Sequence, residues 1–296
     1  MNVFNKVYQF FLSETAKSRI EKSILYIALV GFVIHLALIY LSKFGFITFL
    51  ENSEFFKNPI SAIYTPFSFI LIYEVYLLIY YLPKSFTNYI NKQYEIITLI
   101  IIRKLFKDLA GIKLTSNWFE IKGDLQFTYD ILASIILFYL IYQFQKQGMR
   151  KAQQQGKIKP KIERFIKRKK IIAVFLVPVF FTMALITLIM WTTGVSNATD
   201  DYLSYESINS LFFDEFFTVL ILVDVVVLLI SLFYTDKFHK IIRNSGFVVS
   251  TILIRMSFGV SGLVSTVLIV VAVLFGLAMI LIHNKFERTI LPNNSL

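Results

Sequence analysis

The segment from Phe213 to Phe233 reads FDEFFTVLILVDVVVLLISLF and decides the fold class. It is long enough to cross a bilayer as a helix, which requires roughly 20 apolar residues. Asp224 is the charged residue at the middle of its apolar run. An ionisable residue at that depth is costly in lipid and by default marks a functional site with a buried partner. The segment therefore predicts a membrane-spanning helix with a polar site near its centre.

Seven further segments are also rich in apolar residues, so we predict an all-α integral membrane protein with eight transmembrane helices. Hydrophobic residues make up 56% of the 296 residues and charged residues only 17%, against roughly a quarter charged in soluble domains. The apolar runs are near-continuous, which favours helices over alternating strands. The eight predicted spans are Ile24–Leu41, Ile60–Leu82, Tyr94–Ile112, Thr128–Tyr142, Ile171–Trp191, Phe213–Phe233, Gly246–Phe258 and Gly262–Ile282.

The basic residues predict the orientation of these spans. Of the 30 lysines and arginines, 22 fall in the two terminal segments and in alternate loops. The positive-inside rule then predicts that both termini lie in the cytoplasm and that the spans cross the cytoplasmic (inner) membrane. The net charge of +11 has the same origin. Anionic lipid at the inner face is the expected partner of this charge, and nucleic acid is not.

Two stretches of the chain predict an internal repeat. FILIYEVYLLI (Phe69–Ile79) aligns with VLILVDVVVLL (Val219–Leu229), and TLIIIR (Thr98–Arg103) aligns with STILIR (Ser250–Arg255). Four spans per unit give both units the same orientation, which predicts two parallel four-helix repeats. The predicted division is an amphipathic N-terminal segment (1–22), repeat 1 (23–145), a basic linker (146–170), repeat 2 (171–285) and a cytoplasmic tail (286–296).

The aligned charges predict an acid–arginine pair in each repeat. Counting the helical rise of 1.5 Å per residue from the cytoplasmic loops puts Glu74 level with Arg103, and Asp224 level with Arg255. Either the pairs fix two helices together, or they line a path for ions, and both interpretations stay open. The residues that would extend such a path are Lys104, Lys107, Asp108, Ser250, Thr251 and Ser257.

The remaining signals for chemistry are weak. His35 is expected to pack against a neighbouring carbonyl or hydroxyl group. For His239 and His283 we find no acid at ligand spacing, so we predict no metal site. No cofactor or catalytic role is predicted, because HExxH, GxSxG and Walker A motifs are missing from the sequence. Cysteine is absent, which excludes disulfides and thiolate chemistry.

The stretch FILIYEVYLLIYYLPKSFTNYINKQYEIITLIIIRKLF, from Phe69 to Phe106, resembles the phosphate-starvation-inducible E (PsiE) family of bacterial membrane proteins. The resemblance consists of an intramembrane acid, an aromatic and lysine-bearing helix end, a short loop and a single arginine about 30 residues on. The matching positions are Glu74, Tyr81, Lys84, Tyr94 and Arg103. Members of that family have four spans, so the resemblance implies a tandem duplication and bears on fold more than on activity.

Two functions are compatible with this sequence. The first is movement of an ion or small solute across the cytoplasmic membrane, with the midplane charges setting the electrostatics. The alternative is a non-conducting scaffold or stress-linked accessory subunit that docks a cytoplasmic partner through the basic linker, 146–170. A homo-oligomer is compatible with either function.

Overall fold

A computed structural model of the chain describes residues 3–46, 59–111, 122–152, 160–197, 205–260 and 262–290. Every α-helix or 3₁₀ helix in these ranges is given below, and the ranges contain no strand. A 3₁₀ helix at Pro59–Ile63 precedes α3. The α-helices are α1 (Val3–Leu12), α2 (Glu14–Lys43), α3 (Tyr64–Tyr81), α4 (Phe86–Gly111), α5 (Lys122–Ala152), α6 (Pro160–Asn197), α7 (Tyr205–Leu232), α8 (Phe238–Phe258) and α9 (Leu263–Ile290).

Six stretches of helix in the described ranges are long and apolar enough to cross a membrane, as expected of a multi-pass helical membrane protein. Apolar side chains of α2 such as Tyr26, Leu29 and Val33 are exposed, which suits contact with lipid. The six stretches are Phe4–Lys43, Leu125–Gly148, Pro160–Ile186, Glu215–Leu232, Phe238–Phe258 and Leu263–Thr289.

These six stretches correspond to the predicted first, fourth, fifth, sixth, seventh and eighth spans. The predicted second span corresponds to a shorter apolar helix, Thr65–Tyr81. The predicted third span falls within α4, which carries several charged residues and is not among the six, and its last residue, Ile112, lies outside the described residues. The total of eight crossings therefore stays a prediction.

The N-terminal segment divides at Ser13. The Ser13 side chain accepts a hydrogen bond from the backbone N–H of Ala16 at 3.1 Å, which caps the first turn of α2. Helix α2 then runs without interruption from Glu14 to Lys43. The second half of the predicted amphipathic segment (1–22) is thus continuous with the first apolar span.

The chain forms two compact units. The first unit comprises Met1–Leu78 and Glu95–Phe138, and the second comprises Ile79–Tyr94 and Tyr139–Leu296. Helices α3, α4 and α5 therefore each contribute residues to both units. The two units are defined by contacts in space and do not test whether the sequence is duplicated. The internal repeat therefore stays a prediction.

The first unit contains hydrogen bonds that join α1 and α2 to α3. The imidazole of His35 lies 2.6 Å from the Thr65 hydroxyl, which confirms the expected packing against a hydroxyl group. Tyr73 donates to the Glu21 carboxylate at 2.8 Å, and Tyr76 donates to the carbonyl oxygen of Phe11 at 2.8 Å. These bonds satisfy polar groups that would otherwise face apolar surroundings.

The core of the second unit is aromatic. Phe247 of α8 is fully buried, with its ring centroid 5.5 Å from that of Phe144 and 6.3 Å from that of Phe86. Tyr94 packs edge-on against Phe144 at 5.1 Å. Helix α8 packs against both α7 and α9. This arrangement brings Thr251 of α8 next to Asp224 in the second half of α7.

Close approach between α4 and α9 requires glycine at position 276. A Cβ atom at Gly276 would overlap the Tyr94 hydroxyl and approach the Ser250 hydroxyl to 3.3 Å. Tyr94 is itself fully buried, so it has little room to move away. Small residues commonly allow this kind of close packing between membrane helices.

We expect Gly276→Ala to destabilise the protein by about 1–3 kcal/mol, because overpacking a buried contact displaces the Tyr94 ring. Gly259→Ala is the matched control, since a Cβ atom there would meet only the Met256 carbonyl oxygen at 3.6 Å, an ordinary contact. Thermal unfolding of the detergent-solubilised protein measures both variants. Equal stability of the two would show that α4 and α9 do not meet at Gly276.

Candidate functional site

The candidate site is centred on Asp224 of α7, which is only 1% exposed. Its Oδ2 atom accepts a hydrogen bond from Gln93 Nε2 at 3.1 Å and another from Thr251 Oγ1 at 3.3 Å. Its Oδ1 atom is buried and accepts no hydrogen bond from any described residue. Within the described part of the chain, the carboxylate is therefore held by neutral groups alone.

Tyr89 and Tyr94 of α4 bring two further hydroxyl groups to this region. The Tyr89 hydroxyl is close enough to the Asp224 carboxylate to interact with it electrostatically. It nevertheless makes no hydrogen bond of acceptable geometry to a described residue. The Tyr94 hydroxyl lies 2.7 Å from the Ser250 hydroxyl, which donates to the carbonyl oxygen of Ala272 at 2.6 Å. Polar groups from α4, α7, α8 and α9 thus meet in one buried region of the second unit.

The predicted pair of Asp224 with Arg255 is corrected by the structure. Thr251, one turn before Arg255 on α8, occupies the position next to Asp224. Arg255 instead lies near Thr218, with its Nη2 atom 3.5 Å from the Thr218 hydroxyl. Estimating both depths from the connecting loop placed Arg255 about one helical turn, or about 5 Å, too close to Asp224. No ion pair between Asp224 and Arg255 occurs within these described helices.

The predicted pair of Glu74 with Arg103 is present in the first unit. Arg103 donates from Nη2 to the Glu74 carboxylate, and its Nη1 atom is 3.4 Å from the carbonyl oxygen of Phe67. The side chain of Glu74 is 3% exposed and that of Arg103 is 13% exposed, so both charges lie largely out of solvent. Each charge therefore offsets the cost of burying the other.

A second ion pair of the first unit involves a residue that the sequence did not single out. Lys104 Nζ lies 2.8 Å from Asp130 Oδ2 of α5, and the Asp130 side chain is 2% exposed. Lys104 belongs to the predicted polar path, but the structure joins it to Asp130. The side chains of Lys107 and Asp108 lie outside the described residues.

The three hydroxyl residues of the predicted path have separate contacts. Thr251 reaches Asp224, whereas Ser250 links Tyr94 to α9. Ser257 donates to the carbonyl oxygen of Ile254 at 2.5 Å, within its own helix. The structure therefore brings Thr251 and Ser250 into the buried cluster and assigns Ser257 a local hydrogen bond.

The sequence analysis missed an acid beside two histidines. Glu287 follows His283 by four residues on α9, a spacing that puts both side chains on one face of the helix. One ligand atom from each of His239, His283 and Glu287 lies within 4.8 Å of the other two. The statement that no acid lies at ligand spacing was therefore wrong, and the i, i+4 spacing was the signal that could have corrected it.

Compared with known proteins, the chain matches no family model, no curated protein and no solved structure.

We expect Arg103→Met to destabilise the protein by about 3–5 kcal/mol, because it leaves the Glu74 carboxylate buried without its cation. The double variant Glu74→Gln/Arg103→Met should recover much of that loss, since neither charge then remains. Unfolding in detergent with increasing denaturant measures both. If the double variant were no more stable than Arg103→Met, the two side chains would not be coupled.

Proposed function

We propose that this protein moves cations across the membrane and that Asp224 binds and releases the transported ion, which in the simplest case is a proton. The observation that carries this proposal is a fully buried carboxylate, midway along the apolar stretch Glu215–Leu232, that only neutral groups contact among the described residues. An uncompensated carboxylate in such surroundings costs free energy, and binding a cation removes that cost.

The contacts of Thr251 suit both protonation states of Asp224. The Thr251 hydroxyl has one hydrogen and two acceptors within reach, the Val248 carbonyl oxygen at 2.9 Å and Asp224 Oδ2 at 3.3 Å. With its hydrogen on Asp224, Thr251 stabilises the carboxylate. With its hydrogen on the carbonyl group, Thr251 Oγ1 can accept from a protonated Asp224. Gaining and losing a proton therefore requires little rearrangement here.

The buried acids of the first unit have a different role in this proposal. Glu74 and Asp130 each contact a basic side chain, Arg103 and Lys104 respectively. Two pairs that neutralise themselves support a structural function for α3, α4 and α5. Asp224 is thereby favoured over Glu74 as the ion-binding group.

Arg255 contributes to the proposed path through its charge. It lies about one turn beyond Thr251 on α8, on the side of Asp224 away from the α7–α8 connection. In the proposed orientation, with both termini in the cytoplasm, that side faces outward. A positive charge there lowers the local concentration of cations, protons included, so Arg255 would limit the rate at which ions reach Asp224 from outside.

Asp224→Asn should reduce proton flux to that of protein-free vesicles, because asparagine keeps the hydrogen bonds but cannot exchange a proton. Flux is measured in proteoliposomes with a pH-sensitive dye enclosed in the lumen. Glu215→Gln is the matched control, since Glu215 is an exposed acid on the same helix and should not affect flux. Wild-type flux in Asp224→Asn would contradict the proposal.

The alternative function, docking of a partner through 146–170, is distinguished by the same assay. The central part of this linker, residues 153–159, lies outside the described residues. Deleting 153–159 should leave proton flux intact if the protein is a conductor. An inactive wild-type protein that captures a partner only when the linker is present would favour the scaffold.

A topology with eight crossings and a topology with six place the connection between α3 and α4 on different sides of the membrane. Asn88 is exposed near the start of α4, and the chain lacks cysteine, so Asn88→Cys gives a single label site. With eight spans, Asn88→Cys should react from the cytoplasmic side, like Asp236→Cys, whereas Lys43→Cys should react from outside. Labelling of Asn88→Cys from outside would limit the protein to six spans.

A further inference from the structure

The ends of α8 and α9 bring together a second cluster of chemically reactive side chains, which is separate from Asp224. His239 lies in the first turn of α8, and His283 and Glu287 lie in the last two turns of α9. The imidazole rings stack with centroids 4.9 Å apart. His239 and Glu287 are partly exposed at 13% and 22%, so the cluster can be reached from solvent.

The contacts of His283 indicate which of its nitrogens accepts and which donates a hydrogen bond. Arg243 Nη1 lies 3.0 Å from His283 Nε2, and because a guanidinium can only donate, Nε2 must accept. The hydrogen of a neutral His283 therefore resides on Nδ1, which lies 3.2 Å from the His239 carbonyl oxygen and 3.1 Å from His239 Nδ1. A histidine that donates one N–H to a backbone carbonyl and presents the lone pair of its other nitrogen to a cation has the arrangement usual for metal ligands.

The ligand atoms of the three residues lie close together. Glu287 Oε1 lies 3.4 Å from His283 Nε2 and 3.9 Å from His239 Nδ1. Ligand atoms bound tetrahedrally to Zn²⁺ at about 2.0–2.2 Å stand about 3.3–3.5 Å apart. Because a metal ion lies in the plane of each imidazole that binds it, one of the two rings would have to rotate out of the stack to complete a three-ligand site. Two imidazoles and one carboxylate are a donor set that favours Zn²⁺ and related transition metals over Mg²⁺ or Ca²⁺.

We propose that His239, His283 and Glu287 bind one divalent transition-metal ion, with Zn²⁺ as the representative, and that the ion joins the start of α8 to the end of α9. In this site the ion replaces the Arg243 guanidinium at His283 Nε2. Arg243 keeps its second set of hydrogen bonds, from Nε and Nη2 to Asn244 Oδ1 at 3.1 and 2.9 Å. The fourth coordination position is left to water. This proposal does not depend on ion movement through Asp224.

The test is Zn²⁺ binding to the full-length protein in detergent, purified without a histidine tag and treated with chelator. Titration calorimetry should give one Zn²⁺ per chain. Each of His239→Ala, His283→Ala and Glu287→Gln should weaken binding by about tenfold or more. His35→Ala is the control, because His35 is the one histidine of the chain outside this cluster and contacts Thr65 in the first unit. X-ray absorption of the bound zinc should show two imidazole nitrogens.

Two further outcomes decide the proposal. Arg243→Met should tighten Zn²⁺ binding, because it removes the group that competes for His283 Nε2. Glu287→Gln is the variant expected to keep the fold, since Glu287 is partly exposed and the substitution keeps the size of the side chain. A loss of Zn²⁺ binding in this variant therefore reports on the site. The site would be overturned if Glu287→Gln bound Zn²⁺ as strongly as wild type. It would also be overturned if wild type bound Zn²⁺ as weakly as His283→Ala.

Discussion

Burial of carboxylates between apolar helices is the constraint on which the rest of the structure depends. Water cannot solvate these groups there, so protein groups or a bound cation must offset their charge. The first unit meets this requirement with basic side chains, which place Arg103 against Glu74 and Lys104 against Asp130. The second unit holds Asp224 with an amide and a hydroxyl group. That difference is the basis for proposing ion binding at Asp224.

Much of the fold could be predicted from the sequence, because local apolar runs determine membrane helices. Six of the eight predicted spans correspond to helices long and apolar enough to cross a membrane. The pairing of Glu74 with Arg103 was also predictable, since a short loop joins their helices and the rise per residue gives their depth. The same method failed for Asp224 and Arg255, because depth counted from a loop carries an error of about one turn.

The composition of the site was less predictable, because it depends on contacts between distant parts of the chain. Gln93 reaches Asp224 across 131 positions of sequence, and Tyr94 reaches Ser250 across 156. Neither contact leaves a periodic signal in the sequence. The spacing of His283 and Glu287 was visible in the sequence, whereas the approach of His239 required the pairing of α8 with α9.

The protonation of Asp224 can be observed directly by infrared difference spectroscopy of the reconstituted protein between acidic and alkaline pH. If Asp224 exchanges a proton, the spectrum should contain a carbonyl band of a protonated carboxyl group that is missing in Asp224→Asn and retained in Glu215→Gln. An identical spectrum in wild type and Asp224→Asn would contradict the role of Asp224 as the ion-binding group.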